Sequence, residues 1–334
     1  MEKLKNAKFV LVVGIGGSDL ASKAVWQAMS LHNQNDKRVF FLEAPDEREY
    51  KEIADLLENK ISKPKDFALI TISKSGKTEE TLATFNKIWD LFFAKFGEPI
   101  SEQTIVVATS GTPLWTSAQQ KNIKCLEWEG DIGGRFSAFT VAHTTVLNTL
   151  GLDTEAFLAG SQKANLDGTR HLGAEIFENY KKGFTILDFF IFNAELEDLG
   201  KWCRQLFGES IAIITPTVSI GPTDLHSMLE LYLGGPKTRF TIFVRSLSEI
   251  DETINESAYQ KTVKAYEGAG LPFMTYEITK IDEKSLGEFM AFMIEVTLEL
   301  AKLLEVNPYD QPVVENYKNS ITHPQPLPYN KGGE

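Results

Sequence analysis

The sequence predicts an α/β protein built from two doubly wound parallel sheets. Three observations carry this expectation. Short β-rich apolar runs alternate with helical patterns, the signature of a parallel sheet wrapped by helices. That alternation runs to about residue 165 and then starts again. With 334 residues, the chain is long enough for two domains of ordinary size, each with its own core.

The elements follow in order. "KFVLVVGI" (8–15) reads as a buried strand and "DLASKAVWQAM" (19–29) as the helix after it. Next come a strand at 38–44, a helix near 46–59, a strand at 67–73, a helix near 78–95 and a strand at 103–109. A strand at 123–128 follows a short helix, and "SAFTVAHTTVLNTLG" (137–151) reads as a buried helix ended by glycine. The restart supplies a strand at 183–192, a helix in "AELEDLGKWCRQLFG" and a strand at 210–218. "TDLHSMLELYLGG" (223–235) reads as a helix with a Thr/Asp start and a Gly-Gly stop, before a strand at 239–246. One more helix–strand unit precedes a long amphipathic helix at 285–306, and the Pro-rich polar tail offers no core. The expected division is a first domain at 1–165, a second at 166–282, and a C-terminal helix and tail at 283–334 that close the site.

Composition narrows the function. A chain that is 43% hydrophobic and 24% charged is globular rather than disordered. A net charge of −12 argues against nucleic-acid binding, yet a few donors in one pocket outweigh the global sign for a small anion. Cys125 and Cys203 form neither a disulfide framework nor a metal-ligand pattern, which suits a reducing, cytoplasmic setting. The lysines before "FVLVV" mimic a signal peptide, but that run is too short and ends in glycines and Asp19. No run approaches the ~20 apolar residues of a membrane span.

Two glycine loops could carry chemistry. "VVGIGGSDL" resembles the start of a dinucleotide fingerprint, but Asp19 stands where the third glycine belongs and would repel a pyrophosphate. What remains is a tight strand–helix turn whose free N–H groups could meet polar or anionic atoms. In "TISKSGKTEET", Thr71 stands where a P-loop needs its first glycine, so Gly76-Lys77-Thr78 is not a nucleotide loop. Instead Ser73, Ser75 and Thr78 place three hydroxyls around Gly76 at an expected helix start. Together with the helix dipole they would cage one phosphate. A Ser/Thr-capped helix would use the same residues, although three hydroxyls and a glycine exceed what capping requires.

"GIGGSDL", "SKSGKTEET", "GDIGGRFS", "RQLFGES", "TDLH" and "NPYDQPVVENYK", spread in order over residues 14–318, resemble the motifs of the glucose-6-phosphate isomerase family. The resemblance implies two sugar-isomerase (flavodoxin-like) domains and reversible conversion of glucose 6-phosphate to fructose 6-phosphate, a step of glycolysis and gluconeogenesis. It implies Glu209 as the base, His226 in ring opening, Arg135 facing the reacting carbons and Lys318 assisting at the ring oxygen. Ser73, Lys74 (through its backbone), Ser75 and Thr78 would hold the phosphate, with Gly17 and Ser18 approaching the sugar and Gln205 and Gln311 completing the site. No cofactor and no metal are implied. The family's histidine comes from the neighbouring subunit, so a homodimer with shared sites is expected.

The residue types suit that chemistry. Moving a proton between neighbouring carbons needs one base that can return it, and a carboxylate suffices. Glu209 would sit at a helix C-terminus, whose dipole disfavours an anion and strengthens the base, with Gln205 one turn earlier on the same face. Arg135 is a permanent cation for a cis-enediolate. His226, favoured among five histidines by its Gly-Pro-Thr-Asp lead-in, would lie in a helix first turn that keeps imidazole neutral. His143, in an apolar helix, reads as a satisfied core residue.

Three features depart from the family pattern. Lys77 adds a cation where threonine is usual, Ala21 replaces a common glycine, and the chain opens on the first strand without the family's preceding helical segment. Rival readings are a dual phosphoglucose/phosphomannose isomerase, a non-catalytic sugar-phosphate sensor and, more distantly, a Rossmann oxidoreductase. The sensor would need the 73–78 loop but not Glu209, Arg135 and His226 together.

Overall fold

The computed structural model describes residues 3–30, 36–248 and 254–314. A first sheet is formed by β1 (Phe9–Val13), β2 (Arg38–Leu42), β3 (Phe67–Ser73), β4 (Thr104–Ala108) and β5 (Lys124–Glu127). All five strands are parallel, in the order β2-β1-β3-β4-β5. Every residue of β1, β3 and β4 is buried, whereas the edge strands β2 and β5 are partly exposed. Such continuous apolar strands arise because helices cover both faces of a parallel sheet.

Those covering helices are α1 (Leu20–Ser30), α2 (Glu47–Asn59), α3 (Glu79–Phe96), α4 (Pro113–Gln120) and α5 (Val141–Leu150). One face of the sheet, with Val10, Val12, Ile70, Ile72 and Val107, packs on α1 and α5. The alternate residues Leu11, Val13, Phe67, Leu69 and Val106 pack on α2, α3 and α4.

After α6 (Thr154–Ser161) and α7 (Leu166–Lys181), the second sheet follows. Its strands are β6 (Ile186–Ile191), β7 (Thr215–Ile220), β8 (Arg239–Ser246) and β9 (Phe273–Ile278), parallel and in the order β7-β6-β8-β9. The connecting helices are α8 (Glu197–Ile211), α9 (Leu229–Gly234) and α10 (Ile254–Ala269), and α11 (Glu283–Leu304) closes the order. α11 packs on α6, α7 and α8, and α8 packs on α1. Leu187, Phe189, Ile191, Ile242 and Val244 therefore join the same buried cluster as the α1 face of the first sheet. The fold is thus the expected α/β class with two doubly wound parallel sheets, whose inner faces share one core.

Each sheet has a point where the strand order reverses, and a crevice opens there at the carboxyl ends of the strands. In the first sheet it lies between β1 and β3, in the second between β6 and β8. The second crevice is bridged, since the side chain of Asn193 accepts a hydrogen bond from the Ser246 N–H at 2.8 Å.

Several elements differ from the sequence reading. The strand expected at 210–218 begins only at Thr215, because α8 runs on through Ser210 and Ile211. Cys203, Leu206, Phe207, Ser210 and Ile211 form one buried stripe at helical spacing, and that burial overrides the β-branched run. The helix read at 137–151 starts at Val141, after a turn in which Thr140 N–H bonds the Ser137 carbonyl. The helix read at 223–235 is two pieces, a 3-10 turn at Thr223–Leu225 and α9, with His226 between them. Its expected cap, Asp224, accepts from the Ile220 N–H and from the Ser227 hydroxyl instead. α6 and α7 stand where the sequence offered no element.

Candidate active site

Two turns define the open crevice of the first sheet. After β1 the chain makes a 3-10 turn at Gly16–Ser18, with Gly16 at φ +61°. After β3 the loop 73–78 leads into α3. There the Ser73 hydroxyl lies 3.2 Å from that of Thr78 and accepts from the Gly76 N–H. The Ser75 hydroxyl lies 3.5 Å from that of Thr78 and accepts from the Lys77 N–H. Thr78 occupies the N-cap position of α3, but its side chain makes no capping hydrogen bond. Three hydroxyls therefore converge in the loop without being consumed by capping.

The Lys74 side chain points away from the loop. Lys74 Nζ donates to the Asp131 carbonyl at 3.0 Å, which leaves its backbone at the loop. Lys77 is exposed.

α8 brings the acid and the amide. Gln205 and Glu209 are one turn apart, and Gln205 Nε2 donates to Glu209 Oε1 at 2.8 Å. Gln205 Oε1 is buried with no partner among the described residues. The first turn reaches this face directly, because a Cβ added at Gly16 would lie 3.0 Å from Gln205 Nε2.

Arg135 comes from a 3-10 turn at Gly134–Phe136 and is only 3% exposed. Its Nε donates to Ser210 Oγ at 2.9 Å, its Nη1 faces Glu209 Oε2 at 3.5 Å, and its Nη2 donates to the Pro308 carbonyl. Burial draws its pKa down and the Glu209 carboxylate opposes this, leaving a guanidinium that stays charged. The Arg135 turn packs backbone to backbone on the first turn. A Cβ at Gly17 would sit 2.3 Å from the Gly134 carbonyl carbon, so only glycine allows this approach.

Behind the two turns lies His143 of α5, fully buried. Its Nδ1 accepts from the Ser22 N–H at 3.2 Å. Its Nε2 lies 3.1 Å from the Gly17 carbonyl and 3.0 Å from Ser137 Oγ. Burial lowers its pKa to about 4, partly offset by the bond to Gly17. It is a satisfied core residue, as the sequence suggested.

Asp19 is also buried, and neither carboxylate oxygen has a hydrogen-bond partner among the described residues. Burial raises its pKa well above the usual value, Glu43 adds to the rise, and Lys23 opposes it.

Not every expected residue joins this cluster. Gly17, Ser18, Ser73, Lys74, Ser75 and Thr78 line the two turns, and Gln205, Glu209 and Arg135 meet beside them. His226 is exposed beside a pocket of about 280 Å³ that it lines with Leu225, Ser227, Leu229, Glu230 and Leu233. Among the described residues, no hydrogen bond or ion pair joins its ring to Glu209 or Arg135. Gln311 is carried by the segment after α11, where Pro308 meets Arg135 and the Tyr309 ring stands 5.4 Å from that of Phe136. Lys318 falls outside the described residues. Sequence reading missed Ser210, the Pro308 carbonyl and the bonds of His143. Ser210 and Pro308 both stand inside quoted motifs, "RQLFGES" and "NPYDQPVVENYK", whereas His143 falls in none of them.

A family model described as phosphoglucose isomerase matches residues 2–190. A probable glucose-6-phosphate isomerase of Haloarcula marismortui is 28% identical over 346 residues, covering 94% of this chain and 77% of the relative. Among solved structures, the hypothetical protein TT0462 of Thermus thermophilus superposes with a TM-score of 0.82 at 24% identity, covering 95% of this chain and 84% of that one. A glucose-6-phosphate isomerase from Chlamydia trachomatis superposes with a TM-score of 0.77 at 19% identity, over 95% of this chain and 69% of that one.

Proposed function

We propose, since the chain belongs to the phosphoglucose isomerase family, that it interconverts glucose 6-phosphate and fructose 6-phosphate, with Glu209 as the base. The observation that carries the assignment is the setting of Glu209. One carboxylate oxygen is oriented by Gln205 and the other faces the cation of Arg135.

The phosphate binds at the 73–78 loop, where the hydroxyls of Ser73, Ser75 and Thr78 and the backbone of Lys74 are available. The sugar then extends past Gly17 and Ser18 toward α8. His226, supplied by the second subunit of a homodimer, and Lys318 open the ring. Glu209 takes the proton from carbon 2 and returns it at carbon 1, through a cis-enediolate whose negative charge Arg135 balances, while the proton of the carbon-2 hydroxyl passes to the carbon-1 oxygen. The buried, unpartnered Oε1 of Gln205 accepts from a sugar hydroxyl, and Gln311 completes the enclosure. Proton transfer by one carboxylate needs no metal. Among the described residues no group of three His, Cys, Asp or Glu could hold one, and no helix is long and apolar enough to cross a membrane.

The test is the rate of fructose 6-phosphate conversion by wild type and Glu209→Gln, with mannose 6-phosphate as a second substrate. The amide keeps the shape but cannot accept the proton, so kcat should fall at least about 10³-fold while inorganic phosphate still competes. Undiminished turnover by the variant would remove Glu209 as the base. Binding without turnover by wild type would favour a sensor, and equal rates on both sugars would mark a dual isomerase.

A further inference from the structure

Resting on that reading of the site, we infer that His143 is a positioning residue: it holds the Arg135 turn in register with the glycine turn and thereby sets the distance from Arg135 to Glu209.

The two turns come from distant parts of the chain, one after β1 and one before α5, and they meet through Gly17 and Gly134. No side chain fits between them, so their alignment depends on polar bonds crossing at the back. The assignment of protons there is constrained. Nδ1 accepts from the Ser22 N–H, so it is unprotonated, and the proton of a neutral ring is on Nε2. Nε2–H then donates to the Gly17 carbonyl and to the Ser137 hydroxyl oxygen. A hydroxyl has one proton, and that of Ser137 goes to its shorter contact, the Gly134 carbonyl at 2.6 Å. The longer contact from Ser137 Oγ to the Gly17 carbonyl, 3.1 Å, is thereby left to the imidazole.

His143 therefore joins three segments. Ser22 belongs to the first helical turns of α1, Gly17 to the substrate-facing turn, and Ser137 to the end of the Arg135 turn. The ring supplies no atom to the substrate. Its effect runs through Arg135, whose Nη1 stands 3.5 Å from Glu209 Oε2. A displacement of about 1 Å in a catalytic group costs on the order of 10²-fold in rate, so the register of the turn matters to the chemistry. The Phe136 and Ser137 N–H groups, bonded to the Gly133 and Gly134 carbonyls, report whether the turn stays closed.

Two substitutions separate positioning from simple support of the core. In His143→Gln the amide nitrogen reaches the place of Nε2 and can still donate to Gly17. In His143→Asn the side chain ends at the place of Nδ1, keeping the bond from Ser22 but losing those to Gly17 and Ser137. At matched folded fraction, kcat should stay within about 3-fold of wild type for Gln and fall roughly 10- to 100-fold for Asn. The inhibition constant for inorganic phosphate should hold in both, because the 73–78 loop is untouched. Amide exchange at Phe136 and Ser137 should quicken in Asn alone.

Equal kcat in the two variants, or losses that simply follow folded fraction, would overturn the inference. If wild type itself turned over neither sugar phosphate, the isomerase reading would fail. The exchange contrast would then decide the clamp independently: faster exchange in Asn supports it, and no contrast overturns it.

Discussion

Arg135 binds with all three of its nitrogens, to α8, to the general-base candidate and to the segment after α11. Its motif marked it as a site residue, but its three partners could not be read from the sequence, because each lies more than 70 positions away. Asp19 shows the same limit. It was legible as a misfit in a dinucleotide fingerprint, yet its burial comes from the packing of the turn. With its pKa raised by burial, the stability linked to this group is full below about pH 4, the range of a free carboxyl, and is lost as pH rises toward the native value. Asp19→Asn, which copies the neutral acid, should therefore raise Tm by about 2 °C or more at pH 8, with the gap closing near pH 4. Thermal melts across that range check this. A lower Tm for the variant at pH 8 would mean that the ionised form is stabilised in the native state.

At the scale of elements, the strands were legible because buried parallel strands are apolar at every position, as in β1, β3 and β4. Helix ends were less so. The end of α8 was hidden by "SIAII", which favours a strand locally but is held helical by the burial of Ser210 and Ile211. The break at His226 was hidden because Asp224 bonds backward to Ile220 rather than capping forward. The segment after α11 makes a prediction of its own. Tyr309 is 66% exposed, so Tyr309→Ala should change stability by less than about 1 kcal/mol. Loss of its contact with Phe136 should nevertheless raise KM for fructose 6-phosphate roughly 3- to 10-fold, since this segment carries Gln311. An unchanged KM would place Gln311 outside the site.

For the whole molecule, the two-sheet plan followed from the alternation of elements, but the merging of their inner faces did not. The shared core depends on α1 meeting α8 and on α11 spanning α6, α7 and α8, contacts between segments far apart in sequence. The exposed position of His226 beside three half-buried leucines is what a histidine delivered to a neighbouring subunit would show. Mixing inactive Glu209→Gln with inactive His226→Ala should then restore activity. In a randomly re-paired dimer population about a quarter of all sites regain both native residues. No recovery after subunit exchange, or full activity from a sedimenting monomer, would exclude sites shared in this way.

The bond from the Ser246 N–H to Asn193 has a consequence for how labour is divided between the two halves. Two sheets of the same doubly wound plan offer two equivalent places for a ligand, yet in the second the Asn193 side chain crosses the mouth. The half that gives up its own mouth is released from keeping a glycine-rich turn there. It contributes instead a long helix, α8, whose end reaches across to the other half. The loop after β7 is not released with it, because in the reaction proposed above that loop delivers His226. The first half keeps its glycine turns, because under the proposed function they are the surface that meets the substrate.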